Sequence, residues 1–148
     1  MTTPPALSLI VPAYNESTRL LATLRHAAEA LPLLADPSEI IVVDDGSTDD
    51  TAAVAAAFAS PVPLRVIRLP QNRGKGAAVA AGIGAAVHPF VAFTDADCPY
   101  DLAQLRPMLA ALDHEAIDVA IGARELAESE INRGYGALRM LSGKTLSV

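Results

Sequence analysis

Short apolar runs punctuate the chain, and each stops at a polar cluster rich in Asp, Asn, Gly or Pro. Residues 7–11 end at Pro12, and residues 40–43 end at Asp44-Asp45-Gly46. Residues 64–69 alternate Arg65 and Arg68 with apolar side chains, and residues 90–94 follow His88-Pro89. Runs of this length and bounding predict strands. Residues 40–43 are apolar on both faces, as a central parallel strand requires. Residues 119–123 predict a fifth strand.

Between these runs the period lengthens. Leu20, Leu21, Leu24, Ala27, Ala28 and Leu31 recur at helical spacing, with Asn15-Glu16-Ser17-Thr18 supplying caps in front. Residues 51–59 predict a short Ala-rich helix, broken by Pro61 and Pro63. Residues 77–87 are apolar nearly all round and predict a buried helix. Leu102, Leu105, Leu109 and Leu112 mark another, with Pro107 near its start or at a kink. Residues 132–148 read as a loop leading into a helix with Tyr135, Leu138 and Leu141 inward. Strands alternate with helices, without repeat or linker. The expected class is α/β, one domain over residues 1–148, with a mostly parallel sheet, helices on both faces and right-handed crossovers.

Composition narrows the function. The chain has 148 residues, 51% hydrophobic and 19% charged, so it folds around a real core. A formal net charge of −6 argues against nucleic acid as a partner, since phosphate contacts need clustered Lys and Arg. Cys98 is the only cysteine, which excludes an intrachain disulfide and a cysteine zinc cluster and fits a reducing compartment. Cys98 itself reads as a small semi-buried residue. The N-terminus shows no signal peptide, and the longest apolar stretch, residues 77–87, is too short to span a bilayer. The expectation is a soluble cytoplasmic chain, free to work at the cytoplasmic face of a membrane.

In open parallel sheets ligands bind at the carboxyl ends of the strands. The clusters that gather there are Pro12-Ala13-Tyr14-Asn15-Glu16, Asp44-Asp45, Asn72-Arg73-Gly74-Lys75-Gly76, Asp95-Ala96-Asp97 and Gly122-Ala123-Arg124. Asp95 and Asp97 point the same way if extended geometry persists. Like charges that close need neutralising, and a hard cation, Mg²⁺ or Mn²⁺, completed by substrate phosphates does so. The plainer alternative is that Asp97 caps the next helix and Asp95 is solvated. Gly74-Lys75-Gly76 at a helix start suits an anion, or is an ordinary basic turn.

Two familiar phosphate motifs fail. Gly143-Lys144-Thr145 lacks the required glycine, having Leu138 there, and no strand precedes it. Gly82-Ile83-Gly84 lies inside a predicted helix, with Val87 at the third position. His26, His88 and His114 stand singly, without a partner Ser or Cys, and read as non-catalytic.

Residues 9–16, Leu-Ile-Val-Pro-Ala-Tyr-Asn-Glu, residues 41–49, Ile-Val-Val-Asp-Asp-Gly-Ser-Thr-Asp, and Asp95-Ala96-Asp97 together resemble the family 2 glycosyltransferases of the GT-A fold. Asn72-Arg73-Gly74-Lys75-Gly76 and Gly122-Ala123-Arg124 are similar to the dolichyl-phosphate β-glucosyltransferase branch and its bacterial polyprenyl-phosphate relatives. The likeness covers nearly the whole chain. It implies a nucleotide-sugar donor, UDP-glucose or GDP-mannose, a Mg²⁺ or Mn²⁺ cofactor and a polyprenyl or dolichyl phosphate acceptor, with inversion at the sugar. It also implies residue roles. Pro12, Ala13, Tyr14 and Glu16 would line the nucleotide pocket, with Asp44 and Asp45 towards base and ribose and Lys75 among the nucleotide contacts. Asp95 would sit near ribose, sugar and metal, Asp97 would hold the metal, and Arg124, Arg133 or Arg139 would reach the acceptor phosphate. Asp95 and Arg124 would be the catalytic pair.

Two departures stand out. Some polyprenyl-phosphate mannosyltransferases place a Gln two residues past the second Asp, where this chain has Pro99. The chain also stops at Val148, short of the family's usual catalytic domain, so the acceptor part is expected to be incomplete. Rivals are weaker. A sugar-nucleotide pyrophosphorylase needs a Gly-rich, Arg-containing loop where Pro12-Ala13-Tyr14 stands. A phospho-acceptor receiver domain needs its acidic pair after the first strand, not the second. A non-catalytic nucleotide-binding module and a family 2 transferase with another acceptor remain as alternatives.

Overall fold

The structure, a computed structural model, describes residues 4–97, 100–113 and 117–122. Strand β1 is Leu7–Ala13, helix α1 is Leu20–Leu34, β2 is Ser38–Asp44 and α2 is Thr51–Ala57. Strand β3 is Leu64–Arg68, α3 is Lys75–Ala85, β4 is Phe90–Phe93 and α4 is Leu105–Leu112, entered through a 3-10 turn at Leu102–Gln104. The four strands are parallel in the order β3-β2-β1-β4. The chain builds outward from β1 to β3, then crosses back to lay β4 on the other side of β1. The strand order therefore reverses between β1 and β4, which is where such sheets open a crevice at their carboxyl ends.

The period-2 alternation sorts the core into two layers. Leu7, Leu9, Val11, Ile40 and Val42 face α1, α2 and α4, meeting Leu20, Leu24, Leu31, Ala55 and Leu109. Ile10, Ile41 and Val43 face the other way, onto Ala78 of α3. Every residue of β1 is buried. Gly82 lets α3 settle close on the sheet, since a Cβ there would lie 2.5 Å from Ile10 Cγ2. That close packing accounts for the glycine in the rejected dinucleotide-like motif.

Three expectations need correction. Helix α3 is not buried all round: Ala78 and Gly82 are its buried residues, while Ile83 is 54% exposed. Apolar composition identified a helix, but small side chains bury only the face that meets the sheet. Residues 119–122 form no strand, and Val119 and Ile121 stand exposed. A strand exists only with a ladder partner, and the alternation there found none among the described residues. The Asn15–Thr18 cluster does not cap α1, whose N-cap is Arg19 without a side-chain cap bond. Asn15, Glu16 and Ser17 bond instead to residues 47–51, as described next.

Candidate functional site

The loops after β1 and β2 are stitched together. Asn15 N–H donates to Ser47 Oγ at 2.9 Å, Glu16 N–H to Thr51 Oγ1 at 2.8 Å and Ser17 N–H to Asp49 Oδ2 at 3.1 Å. In return Thr48 N–H donates to Asn15 Oδ1 at 2.9 Å. Asn15 sits at φ 54°, a left-handed conformation that Asn tolerates better than most residues. Asp49 also accepts from the Thr51 hydroxyl and from Thr51 N–H at 3.0 Å. The Thr51 hydroxyl bond, against a smaller opposing push from burial, and the Ser17 bond hold the Asp49 carboxyl at about 2, below its usual range. Ser47, Thr48, Asp49 and Thr51 thus serve as loop fasteners.

Asp45 fastens the next loop. Its two oxygens accept Arg73 N–H at 2.9 Å and Gly74 N–H at 2.8 Å. Gly46 permits this approach: it lies at φ 69°, and a Cβ there would fall 2.4 Å from the Gln71 carbonyl carbon. Asp44 faces away from the cleft. Its side chain is fully buried, accepts Ser47 N–H at 3.0 Å and pairs with Arg68 Nε at 3.2 Å. The neighbouring peptides of an extended strand point the two carboxylates to opposite sides, which the acidic doublet alone did not reveal.

These loops leave a cleft of about 380 Å³ at the switch point. Pro12, Ala13, Tyr14 and Glu16 form one side, Asp45, Asn72, Gly74, Lys75 and Ala78 another, and Asp95, Ala96 and Asp97 the third. The structure thus brings together the predicted donor residues except Asp44. Lys75 opens α3 and pairs with Asp95 Oδ1, with its ammonium 5.5 Å from the centre of the Phe93 ring. The sequence placed both residues at this edge without pairing them. Glu16 Oε1 pairs with Arg19 at 2.7 Å, while its buried Oε2 has no hydrogen-bond partner among the described residues.

The donor set suits a hard cation. Asp97 is exposed on the cleft wall and makes no hydrogen bond or ion pair among the described residues. Asp95, two residues before it, is engaged by Lys75. No group of three or more His, Cys, Asp or Glu among the described residues could hold a metal by itself. One or two carboxylates with phosphate and water completing the shell is the usual arrangement for Mg²⁺. Helix α1 bonds to this wall at Ala96 and to the turn beyond it at Leu102. Thr23 Oγ1 donates to Ala96 O at 2.5 Å, and His26 Nε2 accepts Leu102 N–H at 3.3 Å. Neither was expected, although a lone Thr on an apolar helix stripe signals a hydroxyl in need of a partner. Arg124, Arg133, Arg139, Cys98, Pro99 and His114 lie outside the described residues, as do Tyr135, Leu138 and Leu141.

Known proteins resemble this chain in sequence and in fold. A dolichyl-phosphate β-glucosyltransferase from Dictyostelium discoideum is 33% identical over 137 residues, covering 84% of this chain and 42% of its own length. PcManGT, a mannosyltransferase from Pyrobaculum calidifontis solved with GDP-Man and Mn²⁺, superposes at a TM-score of 0.67 with 27% identity, over 78% of this chain and 34% of its own. S. aureus TarS, solved with UDP-GlcNAc, gives 0.60 and 30%, over 73% of this chain and 31% of its own. The chain therefore spans less than half the length of these proteins. Residues 8–147 match the family described as glycosyl transferase family 2. With the parallel sheet, the switch-point cleft and the acidic wall in place, the chain belongs to glycosyl transferase family 2 and has the GT-A fold.

Proposed function

We propose that this chain is the donor-binding part of an inverting glycosyltransferase that moves a hexose, glucose, from a nucleotide sugar to a polyprenyl or dolichyl phosphate. One observation carries the reading: Asp45, Lys75, Asp95 and Asp97 meet Pro12, Ala13, Tyr14 and Glu16 on a single cleft. The named activity of the Dictyostelium relative and the GDP-Man bound to PcManGT support the substrate class.

The roles follow from side-chain chemistry. Asp45 accepts a ring N–H of uracil or guanine. Lys75, with the N-terminus of α3, meets the diphosphate. Asp97, with Asp95, would hold Mg²⁺ or Mn²⁺, and the bound cation offsets charge on the departing nucleoside diphosphate. Asp95 would also sit near the ribose or sugar. A phosphate monoester has a second pKa near 6, so the acceptor is largely ionised at neutral pH and needs little help from a base. Arg124, with Arg133 or Arg139, orients that phosphate in line with the anomeric carbon, and direct displacement inverts it. Such an acceptor places the enzyme peripherally at the cytoplasmic face of a membrane; no described helix is long and apolar enough to cross one.

Calorimetric titration with UDP, GDP, UDP-glucose and GDP-mannose, each in Mn²⁺ and in EDTA, tests the donor site. One base should bind preferentially, and in Mn²⁺. Absence of binding to all four in Mn²⁺ would overturn the reading. Because the chain spans 42% of the Dictyostelium relative, a nucleotide-binding module without transfer is the second reading. Radiolabelled transfer to polyprenyl phosphate separates the two.

A further inference from the structure

We infer that Thr23 and His26 of α1 are positioning residues for Asp97. The two are three residues apart, so they share one helix face. That face meets the segment following β4 at two points, Ala96 and Leu102. Thr23 is 2% exposed and Ala96 5%, so both the hydroxyl and the carbonyl are withdrawn from water. The buried Ala96 carbonyl is costly to leave without a donor, and Thr23 supplies one.

The carbonyl that Thr23 holds belongs to the peptide joining Ala96 to Asp97. A peptide unit is planar, so fixing its oxygen also fixes the direction in which the chain enters Asp97. Asp97 itself makes no bond among the described residues that would hold it. Its placement therefore depends on the backbone beneath it. His26 accepts the Leu102 N–H five residues further on, which requires an Nε2 lone pair. Asp101 Oδ1 accepts Ala103 N–H at 2.9 Å and starts the 3-10 turn at that end. Helix α1 thus holds the chain at Ala96, just before Asp97, and again at Leu102, five residues past it.

Packing alone does not explain Thr23. Its buried neighbours on α1 are Leu20, Leu24 and Ala27, and Val would fill the same volume. A Thr hydroxyl in a helix ordinarily bonds back to its own turn. Here it reaches another segment, which makes it to Asp97 what outer-shell partners are to metal ligands.

This inference rests on the proposed role of Asp97 at a metal-bound diphosphate, and the experiment separates the two. The full chain is titrated with UDP and GDP, in Mn²⁺ and in EDTA, as wild type, Asp97→Asn, Thr23→Val and Thr23→Ser. Thr23→Val should lose about tenfold of the Mn²⁺-dependent affinity. Its affinity in EDTA should stay unchanged, and Thr23→Ser should restore the loss. If Thr23→Val does not fold, Thr23→Cys, a weaker donor of similar volume, should show the same selective loss. His26→Phe, which removes the acceptor, should show it in smaller measure. Equal Mn²⁺ dependence in wild type and Thr23→Val, with Asp97→Asn impaired, overturns the positioning role and leaves the donor site intact. A loss that is equal in Mn²⁺ and EDTA also overturns it, since that marks a purely structural contact. Wild type without any Mn²⁺-dependent binding overturns both.

Discussion

Lys75 and Asp95 form an ion pair across the mouth of the cleft, joining the first residue of α3 to the segment that follows β4. The pair is half-exposed on the Lys75 side, so it contributes little to stability. Its interest lies in exchange. A cation taken up by Asp95 would release the Lys75 ammonium towards a diphosphate. Lys75→Gln should therefore weaken UDP or GDP binding about five- to tenfold, roughly 1 kcal/mol. Binding of uridine or guanosine, which lack the diphosphate, should be unchanged. Parallel titrations with nucleoside and nucleotide check this.

Asp97→Asn should weaken Mn²⁺-dependent UDP or GDP binding by at least about tenfold, roughly 1.4 kcal/mol. Asn keeps the shape and removes the charge. Equal affinity in EDTA and in Mn²⁺ for the wild-type chain would contradict the assignment.

Asp45 has two duties. It holds the Arg73 and Gly74 N–H groups, and it faces the cleft where a base would lie. Asp45→Ala should cost about 0.5–1.5 kcal/mol of stability, because the exposed Arg73 N–H loses its protein acceptor and Gly74 N–H keeps only Asn72 Oδ1, at 3.0 Å. It should also cost more affinity for the preferred nucleotide than for ADP, since adenine offers no ring N–H at that edge. A thermal melt and a three-nucleotide titration read the two effects separately. Unchanged base preference would confine Asp45 to the loop.

Acid should loosen the opposite edge of the sheet first. Glu39 is buried, which pushes its carboxyl up, but bonds from Ser8, the Val87 N–H and Arg65, with the Arg65 charge, bring it below 4.5 overall. A lowered folded-state value stabilises above the unfolded value and is lost as pH falls through the folded one. The Glu39 contribution is therefore intact above pH 4.5 and disappears below it. That of Asp49 fades between 3.8 and about 2. Urea denaturation from pH 7 to pH 2 should show a falling acid limb, flatter in Glu39→Gln and in Asp49→Asn.

What the sequence disclosed depended on the physics of each element. Residues 7–11 and 40–43 were readable as strands because central parallel strands are apolar on both faces, a pattern few other elements share. The residues that line the cleft were readable because polar loop positions at the carboxyl ends of parallel strands converge. Helix α3 misled because Ala and Gly are apolar without saying which side is covered. Asp44 misled because its neighbour Asp45 is chemically identical and only the pleat separates their directions. The Thr23–Ala96 bond spans residues far apart in sequence, and half of it is a backbone carbonyl. No pattern of residue types encodes a carbonyl, so only the folded chain could show it.

The position of β1 in the sheet has a consequence for how the site comes into being. β1 is hydrogen-bonded to β2 on one side and to β4 on the other, and the cleft lies where the two partners diverge. Pro12 and Asp95 are thus brought together only after the intervening chain has been folded back and its loop entropy overcome. A partly folded chain with β1 to β3 in place would lack the acidic wall entirely. Ligand can bind only the fully assembled state, so it should act as a folding agent as well as a substrate. At a ligand concentration about 100 times Kd, mass action adds roughly 2.7 kcal/mol to global stability. The melting temperature would then report occupancy of the cleft.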